Sequence, residues 1–181
     1  MESNVFYQFN TKVYDVLDKT YFRKAASSPR NAVISLLGDE PLNVLDMCTG
    51  TGSSAIAIAR KKINSSVTGI DLSPAMLQMA TAKLEKEGLS NVTFIEMDAA
   101  RLYFANEEFD VVLISLVLHE ISPELAGQLM SEARRVLKAN GKLIVLEWEE
   151  PVSRFKKIAF YPIKKMEAKG FEDFLKEVKN D

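Results

Sequence analysis

A chain of 181 residues with 47% apolar and 27% charged side chains has the size and composition of a single globular domain, neither disordered nor fibrous. A net charge of −2 gives no electrostatic reason to expect a nucleic-acid partner, which usually needs a basic face. A single cysteine, Cys48, and a single histidine, His119, exclude a disulfide framework and argue against a conventional zinc site.

The N-terminus, "MESNVFYQFN", lacks the basic start and apolar core of a secretion signal, and no run is long enough to span a membrane. The expectation is a cytoplasmic protein. Residues 10–26 and 29–37 read as two helices, with Pro29 opening the second and Gly38 stopping it. "LNVLDM" (42–47) is a short apolar strand, followed by a glycine loop and a helix through Arg60. "SSVTGI" (65–70) is a second strand. Ser73 then caps a helix with Pro74 in its first turn, ended by Gly88. "NVTFIEM" (91–97) and "FDVVLIS" (109–115) are further strands, the latter apolar on both faces as in a buried parallel sheet. Pro123 opens a helix to Leu137, "NG" (140–141) reads as a turn, and "KLIVLEW" (142–148) is a fifth strand. Two short helices follow.

Strands alternating with helices predict right-handed crossovers and a Rossmann-like, doubly wound α/β sheet of five parallel strands. Ligands of such sheets lie beyond the strands' C-terminal ends. The loop after the first strand, "VLDMCTGTGSSAIAIAR", lacks the Gly-Lys-Ser/Thr ending that a triphosphate loop requires. Its Gly50-Thr51-Gly52-Ser53-Ser54-Ala55 does satisfy G-x-G-x-x-A, and Asp71 ends the second strand where a ribose-binding acid belongs, so that pattern alone leaves NAD open. Three further features turn the reading. Asp46, at the first strand's end, would repel a pyrophosphate but suits a cationic ligand. "LSPAML" starts a helix directly beside the ribose acid. Asp98, after the third strand, stands where it would accept a hydrogen bond from an adenine amino group. Carboxylates at three strand ends fit a cationic, phosphate-free adenosine ligand.

The spaced set "VLDMCTGTG", "TGIDLSPAML", "FIEMDAARL", "FDVVLISLVLHEI" and "VLKANGKLIVLEW" resembles the class I S-adenosylmethionine-dependent methyltransferases, nearest to the small-molecule branch of ubiquinone and menaquinone biosynthesis. The resemblance covers residues 40–150. It implies S-adenosylmethionine as donor, S-adenosylhomocysteine as product and a small-molecule acceptor. By position, Asp46, Cys48, Gly50 and Gly52 form the loop under the methionyl part. Asp71 binds the ribose hydroxyls, Leu72 packs on adenine, and Asp98 with Ala99 reads the adenine amino group. Ser115 to Leu118 line the sulfur region, and Tyr14 contacts the donor from the N-terminal helices. Cys48 departs from the family's loop, which usually carries a third glycine there. His119 and Glu147 are candidates for acceptor-side catalysis, the imidazole because its ordinary pKa lies near neutrality.

The whole chain reads as one domain: cap helices over 1–38, cofactor core over 39–150, and C-terminal helices over 151–181. The family's C-terminal hairpin, strands six and seven, is missing from this pattern. Strand five is then expected to be an open edge, inviting a homodimer. Two rival functions remain at this level: an NAD-dependent enzyme, which would need a Tyr-x-x-x-Lys pair or a second domain, and a donor-binding module without catalysis.

Overall fold

The computed structural model describes residues 29–147. The helix expected over 10–26, Tyr14, the C-terminal helices and the question of the hairpin lie outside the described residues. Within them the order is α1 (Pro29–Leu36), β1 (Asn43–Met47), α2 (Ser53–Lys61), β2 (Ser66–Asp71), α3 (Pro74–Glu87), β3 (Val92–Glu96), β4 (Phe109–Ser115), a 3₁₀ turn (Leu118–Glu120), α4 (Pro123–Val136) and β5 (Leu137–Leu146). The five strands form one parallel sheet in the order β3-β2-β1-β4-β5, so the expected architecture is present. The order reverses between β1 and β4, which opens a crevice beyond their C-terminal ends.

Strand periodicity distributes the core over both faces of the sheet. Leu45 and Met47 of β1 join Val112 and Ile114 of β4 against Leu129, Ala133 and Val136 of α4. Val44, Val111 and Leu113 point the other way, onto Val33 of α1 and Ala55, Ile58 and Ala59 of α2. Each buried Val, Leu or Ile side chain contributes about 1.5–3 kcal/mol, so a double-sided centre is the main source of stability. The same alternation puts Asp46 on the α2 face, in register with Leu113.

Pro74 and Pro123 open the helices read for them, Ser73 caps the first as expected, and Ser122 caps the second. Ser73 Oγ accepts from Met76 N at 3.4 Å and Ser122 Oγ from Leu125 N at 3.3 Å, each with proline next in the chain. Gly88, left-handed at φ 63°, closes α3. The "NG" turn is a correction. β5 already begins at Leu137, paired with Phe109, and the next matched pair is Val111 with Lys142. Lys138 to Gly141 therefore bulge out opposite Asp110 alone. Asp110 holds the bulge by accepting from Lys138 Nζ at 2.8 Å, and it accepts from Asn43 N of β1 at 2.8 Å. β5 is the outermost strand of the described sheet, with Val145 42% exposed. Among the described residues no helix is long and apolar enough to cross a membrane.

One aromatic ring sets the height of the glycine loop above the sheet. Phe94 of β3 pairs in register with Gly69 of β2. A Cβ on Gly69 would meet the Phe94 ring at 2.7 Å and Thr49 Oγ1 at 2.9 Å; one on Gly52 would meet the same ring at 2.5 Å. A glycine inside a strand here marks close approach of another group. Gly69→Ala is expected to lower stability by about 1–3 kcal/mol through overpacking, measured by urea unfolding. Adding Phe94→Leu should recover part of the loss.

Candidate cofactor site and the comparisons that name the family

The loop 48–52 leaves β1 through three left-handed residues, Cys48 (φ 56°), Gly50 (φ 55°) and Gly52 (φ 72°). The two glycines serve different faces. Gly52 lies on the Phe94 ring and on Ala80 Cβ, whereas a Cβ at Gly50 would meet nothing within 4 Å. Gly52 thus seats the loop, and Gly50 keeps its outer surface bare for close approach of a ligand. Cys48 tolerates the left-handed turn in place of a glycine, at the strain cost of a side chain there. Burial, followed by the charges of Asp71, Asp46, Asp98 and Glu120, pushes its thiol up to about 12, so it is no thiolate nucleophile at neutral pH.

Asp71 ends β2 and ties two segments together. Its Oδ2 accepts from Gly50 N at 2.8 Å and its Oδ1 from Ser73 N at 2.9 Å. Each carboxylate oxygen keeps a second lone pair for an incoming hydroxyl. Burial raises its pKa, opposed by the backbone donors of Ser73, Gly50 and Leu72. The next residue, Leu72, is 67% exposed, an apolar side chain left uncovered at the crevice. Asp98 is exposed after β3, its Oδ1 fixed by Ala100 N at 2.9 Å, and Ala99 is buried behind it. The segment that follows is fastened to α4. Arg135 donates to Leu102 O at 3.0 Å and Phe104 O at 2.8 Å, while Glu132 accepts from Leu102 N at 2.7 Å.

Asp46 is 1% exposed, with Thr49 Oγ1 donating to its Oδ2 at 2.6 Å. Its carboxyl lies against the first turn of α2, at Ala55, within the field of Arg30 and Asp71. It braces the loop from below. Ser115 ends β4, its Oγ buried without a hydrogen-bond partner among the described residues.

The two acceptor-side candidates touch each other. His119, expected at the rim, is 1% exposed, and its Nδ1 lies 2.6 Å from Glu147 Oε2. Glu147 Oε1 accepts from Val117 N at 3.1 Å and from Leu118 N at 2.9 Å.

Sequence reasoning missed three contributors: Phe94, Thr49 and Lys83. Lys83 Nζ, on the third turn of α3, donates to Thr51 Oγ1 at 2.7 Å and Ser53 Oγ at 3.1 Å, holding the loop from the neighbouring crossover. Only Phe94 had a signal, the glycine in the middle of "SVTGID". Thr49 bonds Asp46 three residues back, whereas Lys83 acts through contacts that spacing along the chain does not encode.

Burial moves the Asp46 carboxyl from its ordinary 3.8 up to about 7, against the pull of Thr49, Ala55 and Arg30 and with the push of Asp71. The folded chain then holds a proton that the unfolded chain releases between those values. The linked stabilisation is fully present below about pH 4 and is lost as pH rises towards 7. Asp46→Asn keeps an acceptor for Thr49 but has no such proton. The stability of the original chain relative to this variant should therefore fall from pH 4 to 7, as followed by urea unfolding across that range.

A family model described as a methyltransferase domain matches residues 44–141. The demethylmenaquinone methyltransferase of Thermus thermophilus is 34% identical over 139 residues, covering 76% of this chain and 62% of that protein. The chain thus spans about three fifths of that relative's length. A solved structure titled a putative S-adenosyl-L-methionine-dependent methyltransferase from Methanococcus maripaludis shares the fold, with TM-score 0.72 and 19% identity over 88% of this chain and 72% of that one. The [4+2]-cyclase SpnF is 31% identical, with TM-score 0.61 over 68% of this chain and 45% of its own. The sheet order, the glycine loop and the matched family model together place the chain in the class I S-adenosylmethionine-dependent methyltransferase family.

Proposed function

We propose that this chain transfers a methyl group from S-adenosylmethionine to a small-molecule acceptor of the quinone type. The observation that carries the donor half is the Asp71 carboxylate, fixed by Gly50 N and Ser73 N, beside the bare face of Gly50 and the exposed Leu72. These residues fit the group: an acid for the ribose hydroxyls, an apolar lid for adenine and a glycine surface open to the methionyl part. Asp98 and Ala99 accept the adenine edge at the neighbouring strand end. Ser115 and the turn after it form the wall at the sulfur end. The acceptor half rests on the relative named as a demethylmenaquinone methyltransferase.

When bound, S-adenosylmethionine supplies an activated methyl carbon that passes in line to the acceptor's nucleophile, leaving S-adenosylhomocysteine. The protein's part is placement. Holding the reacting partners in line accounts for about 7–11 kcal/mol of barrier lowering in well-oriented systems. The rigid strand ends, rather than any covalent group, provide it. The neighbour named as a cyclase favours a second reading, in which the same pocket serves a reaction other than methyl transfer.

Incubation with methyl-tritiated S-adenosylmethionine and reduced demethylmenaquinone tests the transfer. Label in the quinone product supports it, and donor binding without label refutes that acceptor. Asp71→Ala removes two charge-assisted hydrogen bonds, each contributing about 1.5–3 kcal/mol. Its affinity for S-adenosylhomocysteine should fall by at least about tenfold, read by calorimetry on protein whose cooperative melt is verified. Unchanged affinity would put the ribose elsewhere. We also propose self-association through the outer edge of β5, supported by Val145 at that edge. Light scattering should give a dimer, and a monomer would refute that part alone.

A further inference from the structure

We infer that Glu147 and His119 form a positioning clamp that fixes the β4-exit turn, and that neither is the acceptor's general base. This rests on the reading that the turn walls the methyl-transferring end of the donor site. The chain leaves β4 at Ser115 and reverses through Leu116, a non-glycine residue at φ 56°. Leu116 N still donates to Leu146 O of β5 at 2.7 Å. The next three residues then turn their donors onto one carboxylate. Val117 N and Leu118 N reach Glu147 Oε1 at 3.1 and 2.9 Å, and His119 Nδ1 lies 2.6 Å from Oε2.

The arrangement is a helix cap supplied from another strand. The 3₁₀ turn Leu118–Glu120 has Val117 at its N-cap, with no side-chain cap of its own. Its first amides would lack an acceptor without Glu147, and buried amides need one. An acceptor carboxylate makes His119 Nδ1 the donor, which fixes the tautomer by the network rather than by observation of a proton. The imidazole is then held under the turn at 1% exposure, and its other nitrogen faces Glu120 at 3.8 Å. A base must reach the proton it removes, to about 2.6–3.2 Å or through one water. With Nδ1 committed to Glu147, only Nε2 could take a proton, and at 1% exposure the ring is closed off from an acceptor. Glu147, 14% exposed at its side chain, likewise directs both oxygens to the turn.

Conservative variants separate clamp from base. Asn at 119 places an amide N–H near the position of Nδ1, and Gln at 147 keeps an oxygen for the two backbone donors. His119→Asn and Glu147→Gln should each hold kcat for reduced demethylmenaquinone to within about fivefold, with an unshifted pH profile. Glu147→Ala strips the amides of their acceptor. Hydrogen exchange at Val117 and Leu118 should accelerate by about tenfold or more. A base would instead contribute about 10²–10⁴-fold. Loss of that order in His119→Asn, with the acid limb of the pH profile gone and exchange unchanged, would overturn the clamp. So would unchanged exchange in Glu147→Ala. Exchange is read without an acceptor, so a chain that leaves demethylmenaquinone unlabelled refutes the proposed acceptor while exchange still decides the clamp.

Discussion

Asp71 is the point through which the cofactor crevice is assembled. One carboxylate oxygen holds the amide of Gly50 and the other the amide of Ser73, so a single side chain sets the distance between the glycine loop and the start of α3. The two crossovers are thereby joined at the C-terminal edge of the sheet, alongside the Lys83 contacts to Thr51 and Ser53. Phe94 fixes the loop's height from below, and Lys83 fastens its flank. The cost is a carboxylate held partly out of water, visible in the upward shift of its pKa. Ribose hydroxyls arriving at that carboxylate would find its geometry already set, which is how preorganised sites limit the entropy of binding.

The acids at the strand ends divide by depth. Asp46, Asp71 and Asp98 all stand at or just past the ends of apolar strands, and in sequence they look alike. The sheet's alternation separates them: Asp46 is buried under the loop, Asp71 is half-buried, and Asp98 is exposed. The inner one governs stability and its dependence on pH. The outer two remain accessible to a ligand. On the far side of the switch point, β4 and β5 repeat the device, with Glu147 of one strand end organising the turn of the other. Both halves of the crevice are thus tied by a carboxylate accepting backbone amides.

Most of the fold was legible because its signals are local. Ser73-Pro74, Gly88 and Pro123 announce helix ends, and the apolar run 109–115 announces a strand buried on both faces. The "NG" pair misled as a turn because its bulge is held by Asp110, a residue 28 positions from Lys138. The glycine loop and Asp71 were legible through spacing. The depth of Asp46 was implicit in strand periodicity, yet the charge of the residue suggested exposure. His119 and Glu147 were singled out separately as reactive groups. Their mutual contact, 28 residues apart in the chain, arises only from the pairing of β4 with β5. Contacts of this kind depend on tertiary register, which no window of sequence contains.

Calorimetric titration of the full chain with S-adenosylhomocysteine, and separately with NAD, tests most directly whether the crevice beside Asp71 binds a phosphate-free adenosine ligand. The account predicts saturable one-site binding of S-adenosylhomocysteine and no heat of binding with NAD. Binding of NAD with none of S-adenosylhomocysteine would contradict it.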